Sequence, residues 1–356
     1  MSAVFAPRGP WLFGRSTDLW AFGGSAALAF VLLAWGAAVG LLEADTPDWL
    51  WLAAVLAVDV AHVWSTLFRV YLDGTEVRRR PLLYLGAPVL LYGAGVLLHA
   101  FGSGVFWSAL AYLAVFHFVR QQVGWVRLYH RREPRVGPAD RLLDEVTTYA
   151  ATLWPLLWWH GHLPRRFHWM LDGDFLGGRF TAWAHAVAAW TEPLYWALLG
   201  GFLLRQLARL RGDRPAPGKV LVVLTTWACW YVGIVALDGD FAFTVTNVLI
   251  HGVPYLVLTY RYGRARAADE PNAHTLRRLM ARGIPAFLVT VILLAALEET
   301  LWDRYVWHDH PGVFGAGGAV EGLALALLVP LLALPQLTHY LLDGFVWRRS
   351  GMPPRG

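Results

Sequence analysis

Long apolar blocks recur along this 356-residue chain and restrict its fold more than any other feature of the sequence. The blocks are about 18 to 24 residues long, the length that lets a helix cross a hydrocarbon core about 30 Å thick. Because 57% of the residues are hydrophobic and only 15% are charged, the composition excludes an ordinary soluble domain of this size. Ten membrane spans are predicted, at 19–42, 49–71, 82–101, 105–129, 142–159, 180–207, 220–237, 241–262, 284–301 and 319–345. We therefore expect an all-α fold, a polytopic membrane helix bundle that forms a single integral membrane domain over residues 1–356.

The sixth span allows a second interpretation. Thr191-Glu192-Pro193 has the residue types that begin a helix, so residues 180–190 can instead form a separate interfacial helix on the outer surface. The number of spans around 180–207 is therefore left open by the sequence.

Lysine and arginine are unevenly distributed between the two sides of these spans. Twenty-five of the 30 fall at the termini or in alternate connections, namely 69–80, 127–141, 205–219 and 261–282. Four lie in the other connections, and the last, Arg120, lies within a span. By the positive-inside rule, both termini are predicted to be cytoplasmic. The net charge of +5 then reflects topology and contact with the lipid bilayer, and it indicates no nucleic-acid partner.

Four of the predicted spans carry an interior histidine with a polar residue three or four positions away, on the same helix face. The polar stripes are Asp59 with His62, His117 with Arg120 and Gln121, Asn247 with His251 and Tyr255, and His339 with Asp343. All four spans run in the same direction, and at 1.5 Å per residue their histidines lie roughly 10–15 Å inside the cytoplasmic edge. Titratable residues at such depth usually face the bundle interior and have a partner or a function. The four imidazoles can therefore meet at one level.

Four imidazoles at one level make a site for a transition metal, with iron, zinc and copper as the candidates. The predicted ligands are His62, His117, His251 and His339. The candidates for orienting the second ring nitrogens are Asp59, Asp343, Gln121 and Asn247. Arg120 needs a counter-ion at this depth, for which Asp59 or Asp343 is suitable. The single cysteine, Cys229, lies inside an apolar block, so a multi-cysteine metal site is excluded.

Three other interpretations of the histidines remain open. Histidines with polar partners inside a membrane can serve only as hydrogen bonds between helices. The same buried His, Asp and Arg side chains can relay protons or bind an ion in a transporter. Two facing histidines can also hold a haem, although the sequence lacks the stacked pairs of a two-haem subunit. The clustered HxxxH and HxxHH boxes of membrane desaturases are absent as well.

The predicted outer surface carries a second group of titratable residues. The candidates for a second metal site there are His160, His162, His308 and His310, with His168, His185 and His99 near the same surface. The alternative is that these are interfacial histidines packed beside tryptophan. Glu298, Glu299 and Asp303, near the outer end of the ninth span, are predicted to form a hydrated rim together with Glu321 at the start of the tenth.

Around three of the histidines the chain resembles the Brp/Blh family of bacterial membrane proteins, which cleave beta-carotene to retinal with a non-haem iron held by histidines. The likeness lies in Phe116-His117-Phe118, His251-Gly252 and His339-Tyr-Leu-Leu-Asp343. The chain departs from the family in three ways. It has Asp59-Val-Ala-His62 where the family has Pro-His-Gly followed by Asp, and it has only His251 where the family has a pair of histidines. It also has more spans than the family. The resemblance implies a histidine-coordinated iron.

From these features we expect an intramembrane metalloenzyme, an iron-dependent oxygenase or other oxidoreductase that acts on a hydrophobic isoprenoid or lipid. Arg120 and Tyr255 are the candidates for steering a polar oxygen or an anionic intermediate. The expected location is a bacterial-type cytoplasmic (inner) membrane, which the chain crosses many times. A proton-coupled or ion transporter and a haem-binding membrane subunit are the alternatives. The substrate, the metal, the electron donor and the oligomeric state do not follow from the sequence.

Overall fold

The computed structural model describes residues 4–5, 9–133, 136–167, 169–211 and 215–347, and within them the chain is helical and forms no strand. Ten long helices account for most of these residues. They are α1 Arg15–Val39, α2 Asp48–Tyr71, α3 Pro81–Ala100, α4 Ser103–His130, α5 Pro138–His160, α6 Arg179–Arg211, α7 Pro217–Ala236, α8 Asp240–Asp269, α9 Gly283–Trp307 and α10 Gly322–Val346. Each overlaps one predicted span, so the all-helical prediction is confirmed.

In the part of the chain that the structure describes, nine of these helices are long and apolar enough to cross a membrane. This is the pattern of a multi-pass membrane protein. The exception is α5, which is 23 residues long but begins with a charged stretch that includes Asp144 and Glu145. The sixth helix continues through Pro193 for 33 residues, about 50 Å at 1.5 Å per residue, so residues 180–190 do not form a separate helix.

Two of the histidine-bearing helices contain π-helical segments directly before their histidines. In α2 the π-helical segment is Trp51–Val60 and lies just before His62. In α8 the π-helical segment is Thr244–Val248 and lies just before His251. A π-helical segment rotates the residues that follow it relative to a regular α-helix, and such segments are frequent at functional sites. The π-helical segments therefore help to set the direction in which both histidines point.

Two helices that carry histidines are also interrupted near them. The regular part of α2 ends at Ser65, whose hydroxyl donates to the main-chain oxygen of His62 at 2.6 Å. The tenth helix is divided at Ala333 into Gly322–Leu332 and Leu334–Val346, with Pro330 and Pro335 on either side of the break. Proline removes a helical hydrogen bond, and side-chain hydroxyls satisfy the carbonyls that such breaks release.

The eighth helix lies at the centre of the bundle, and most of its residues are buried. It approaches α2 closely at Gly252, where an added Cβ would lie 2.6 Å from the Val58 side chain and 3.0 Å from its carbonyl oxygen. Because glycine lets two helix backbones come together, this contact places His251 of α8 next to His62 of α2.

Charged side chains are buried in a network between α5 and α7. The ammonium group of Lys219 donates to Asp144 at 2.5 Å and to Glu133 at 3.0 Å, and it is fully buried. Asp144 also contacts the Nε2 of His130, at 2.9 Å, and Arg209 of α6 donates to Glu133. Buried charges are tolerated when they are paired in this way, so the network joins α4 to α7 at one end of the bundle.

The same end of the molecule carries a short helix, Gly74–Arg79, between α2 and α3. Asp73 caps this helix by accepting hydrogen bonds from the main-chain nitrogens of Thr75 and Glu76. Burial opposes ionisation of Asp73, but hydrogen bonds from Thr75 and Arg266 outweigh it and lower the pKa of this carboxyl. The ionised carboxylate thereby ties the connection to α8, where Arg266 lies 2.6 Å away.

Candidate metal centre

The four histidines of the predicted spans lie together in the interior of the bundle. They are His62 on α2, His117 on α4, His251 on α8 and His339 on α10, and none is more than 3% exposed. The Nε2 atoms of His62 and His251 are 3.1 Å apart, and those of His339 and His117 are also 3.1 Å apart. Four side chains that are far apart in sequence thus turn the same ring nitrogen toward one another.

The ring positions show that the two pairs form one cluster. The ring centroids of His62 and His339 are 4.8 Å apart, those of His117 and His251 are 5.0 Å apart, and the rings are close to perpendicular in both contacts. One ligating atom from each of His62, His117 and His339 lies within 4.8 Å of the others, and the same holds for Asp59, His62 and His251. Among the described residues these are the two groups with the spacing of metal ligands.

The outward-facing Nδ1 atoms have different surroundings. The Nδ1 of His62 is 3.5 Å from a carboxylate oxygen of Asp59, and that of His117 is 3.9 Å from Asp343. The Nδ1 of His339 is hydrogen-bonded to the hydroxyl of Thr66 at 2.8 Å. The Nδ1 atoms of His62 and His251 are both buried without a hydrogen-bond partner in the described structure.

The two carboxylates favour one arrangement of protons on the rings. A carboxylate beside Nδ1 stabilises a proton on that nitrogen, and a neutral imidazole then presents a lone pair at Nε2. His62 and His117 are therefore set to offer lone pairs, each to an Nε2 only 3.1 Å away. A metal ion with metal–nitrogen bonds of about 2.1 Å would bind two nitrogens at this separation at an angle of about 95°. The donor set fits a metal ion.

Aromatic rings hold the imidazoles in place. Phe118 stacks on His251 with 3.7 Å between ring centroids and 5° between planes, and Tyr340 stacks on His117 at 4.7 Å. Phe118 and Tyr340 are sequence neighbours of His117 and His339, but each packs on the histidine of a different helix. Spacing along one helix gives no signal for such contacts, and neither they nor Thr66 were predicted.

Tyr255 lies at the predicted place beside the cluster. Its ring meets those of His62 and His339 edge-on, with centroids 5.5 and 5.1 Å away. Its hydroxyl accepts a hydrogen bond of 3.2 Å from the indole nitrogen of Trp347 and lies beside the carboxylate of Asp343. Tyr255 is fully buried.

Three other predicted residues have different roles from those expected. Arg120 donates to the hydroxyl of Tyr149 on α5, and among the described residues it forms no ion pair with Asp59 or Asp343. Gln121 donates to the main-chain oxygen of His251 at 2.7 Å, so it joins α4 to α8 without touching the ring. Asn247 donates to Thr246 and to the main chain of its own helix. Spacing along α4 and α8 does not reveal these partners.

The predicted hydrated rim on α9 is wrong, because Glu298, Glu299 and Asp303 are only 4%, 8% and 3% exposed. Glu298 accepts hydrogen bonds from the indole nitrogens of Trp64 at 2.6 Å and Trp302 at 3.4 Å. This face of α9 is directed at α2, so the carboxylates are covered by neighbouring helices.

The outer histidines have separate partners. His160 contacts the hydroxyl of Tyr112 at 3.0 Å, and His162 stacks on Trp158. His310 contacts Asp48 at 3.0 Å, and His308 lies in an exposed left-handed turn. In the part of the chain that the structure describes, none of them belongs to a group of three ligands. His168 lies outside the described residues.

Known proteins give no information on what binds at this site. No family model and no curated protein matches the chain, and no solved structure matches it either.

Proposed function

We propose that the protein is an intramembrane histidine-coordinated metalloenzyme, an iron-dependent oxygenase or other oxidoreductase that acts on a hydrophobic substrate. The observation that carries this proposal is the pair of 3.1 Å contacts between Nε2 atoms, His62 with His251 and His117 with His339. Four buried imidazoles from four helices are costly to assemble in an apolar interior unless they bind something.

The choice of iron rests on the donor set and on the resemblance to the Brp/Blh family. Imidazole suits iron, copper and zinc. Four neutral imidazoles would not neutralise the positive charge of a ferrous ion, and in octahedral geometry they would leave two coordination positions free. Bound iron would supply redox chemistry and a place for dioxygen. The residues of the chain would hold the imidazole rings and exclude water, and Tyr255, whose ring meets those of His62 and His339, would steer a polar oxygen.

Packing of the cluster favours a bare metal ion over haem. Ring centroids of His117 are 4.6 Å from His339 and 5.0 Å from His251, so imidazoles surround one another on several sides. A haem held by two histidines needs an open slot between their rings, as wide as the macrocycle. The neighbouring rings and the stacked Phe118 occupy that space.

Metal analysis with an absorption spectrum of the detergent-purified protein tests the proposal. We expect about one iron per chain and no Soret band, because His62, His117 and His339 offer ligating atoms within 4.8 Å of one another and His251 lies next to His62. A Soret band would support the haem alternative. Protein that binds no metal, even after reconstitution with ferrous iron under anaerobic conditions, would contradict the proposal and leave the transporter as the alternative to be tested by ion flux.

Single substitutions then assign the ligands. His117→Ala and His339→Ala should each abolish iron binding, whereas His160→Ala should not, because His160 is a buried histidine that pairs with Tyr112 outside the cluster. Equal iron content in all three variants would show that the cluster is not the metal site.

A further inference from the structure

A cavity of about 400 Å³ lies between α2, α3 and α10. Its walls include Leu67, Pro88, Leu331 and Pro335, and none of the described lining residues is charged. Leu85 and Leu331, which also line it, are 57% and 52% exposed, so the cavity opens on the outside of the bundle. Because these helices have membrane length, that side is where lipid would lie.

The inner wall of the cavity is in contact with the histidine cluster. Thr66 lines the cavity, and its hydroxyl is the group that is hydrogen-bonded to the Nδ1 of His339 at 2.8 Å. Val63 and Thr338, which also line it, are the chain neighbours of His62 and His339. A single layer of residues therefore separates the cavity from the proposed iron site.

Helix irregularities create the cavity at this place. The break in α2 at Ser65 lies next to Thr66, and the break in α10 at Ala333 lies between Leu331 and Pro335. Irregular turns and prolines interrupt the even packing of two helices, and irregular segments of membrane helices commonly line sites at which ligands bind. Both breaks fall within two turns of a predicted iron ligand.

We propose that this cavity is the lateral access route and binding site for the hydrocarbon part of the enzyme's substrate. The inference rests on the proposed function and adds the substrate class: an uncharged hydrocarbon, such as an isoprenoid chain, that reaches the site from the bilayer. A cavity of this volume suits a small-molecule ligand. A carboxylate or a phosphate would be buried there without a cation, which is strongly unfavourable.

Photolabelling in nanodiscs of zwitterionic phospholipid tests this assignment. The neutral probe is geranylgeraniol that carries a diazirine, and its charged counterpart is palmitate that carries the same group. Leu334→Trp fills the cavity, and Leu323→Trp makes the same change at a position on α10 that is 76% exposed and outside the cavity. Labelled peptides are identified by mass spectrometry, and iron is measured in every sample.

We expect saturable labelling of the cavity-lining peptides by the neutral probe. Unlabelled geranylgeraniol, added before irradiation, should compete with the probe and prevent this labelling. Leu334→Trp should reduce this labelling at least tenfold, Leu323→Trp should leave it unchanged, and iron content should be equal in both variants. Labelling that does not saturate, or that falls equally in both variants, would show that bulk lipid fills the cavity and would overturn the inference.

The remaining outcomes separate the two proposals. Equal saturable labelling by palmitate would overturn the assignment of an uncharged substrate. Iron-containing protein without saturable labelling would overturn the access route while leaving the metalloenzyme in place. Protein that contains no iron would overturn the proposed function, and with it the assignment of the cavity as a substrate site.

Discussion

Two carboxylates lie next to the outward nitrogens of the histidines, Asp59 beside His62 and Asp343 beside His117. Both carboxylate oxygens are farther from the Nδ1 atoms than a good hydrogen bond allows. Each carboxylate therefore acts through its charge, which favours the ring tautomer with a proton on Nδ1. We expect Asp59→Asn and Asp343→Asn to weaken iron binding about 10- to 100-fold, the usual effect of losing such a partner. Competition with a calibrated iron chelator measures this change.

The matched control is Asp309→Asn, which makes the same change at an exposed position in the loop between α9 and α10. This variant should bind iron as the unmodified protein does. If all three variants had the same affinity, the carboxylates would have no part in holding the ligands.

At this scale, sequence spacing predicted some contacts and could not predict others. The i,i+3 spacing of Asp59 and His62 placed them on one face, and they are in contact. The i,i+4 spacing of His339 and Asp343 suggested a similar pair, but Asp343 lies beside His117 of another helix. The partner of His339 is Thr66, which is 273 residues away in the chain. Contacts between helices depend on their rotation and depth, which no spacing along one helix contains.

At the scale of helices, the separation of α2 and α8 sets the distance between His62 and His251. Gly252 is the closest point, and an added Cβ there would collide with the side chain and the carbonyl oxygen of Val58. We expect Gly252→Ala to push the helices apart, to cost about 1–3 kcal/mol of stability by overpacking and to lower iron affinity at least tenfold. Chelator competition and unfolding in sodium dodecyl sulfate give the two readouts.

Gly93→Ala is the control for this change, because Gly93 also lies within a helix and an added Cβ would meet nothing within 4 Å. Its stability should stay the same or rise, since alanine is the better helix former. Unchanged iron affinity in Gly252→Ala would indicate that the spacing of these helices does not control the site.

The positions of the helices followed from the sequence far better than their internal shape. Hydrophobic length gave ten helices that overlap the predicted spans, but the π-helical segment Trp51–Val60 has no distinct composition and was not predicted. The buried face of α9 was also missed. Glu298 and Glu299 look like surface residues until Trp64 of α2 is placed against them, because burial of a carboxylate depends on the neighbouring helix.

At the scale of the whole molecule, α5 decides whether the chain crosses the membrane nine or ten times. Its first turns carry charges, yet Asp144 and Glu145 have partners in Lys219 and Arg127. Paired charges at the end of a helix cost less in a membrane than isolated ones, so we predict that α5 spans. The positive-inside rule further predicts that residues 131–137 are cytoplasmic and 161–178 are outside.

Single cysteines on both sides of α5 test this topology in a Cys229→Ala background, in which no other thiol is present. Gly137→Cys and Gly177→Cys lie at exposed positions on either side of α5, while Asn272→Cys and Asp309→Cys lie in the same way on either side of α9. A membrane-impermeant maleimide should label Gly177→Cys and Asp309→Cys in intact cells, and Gly137→Cys and Asn272→Cys only in inverted vesicles. Labelling of both α5 positions from one side would show that α5 does not span, and exchange of all four patterns would show that the molecule has the opposite orientation.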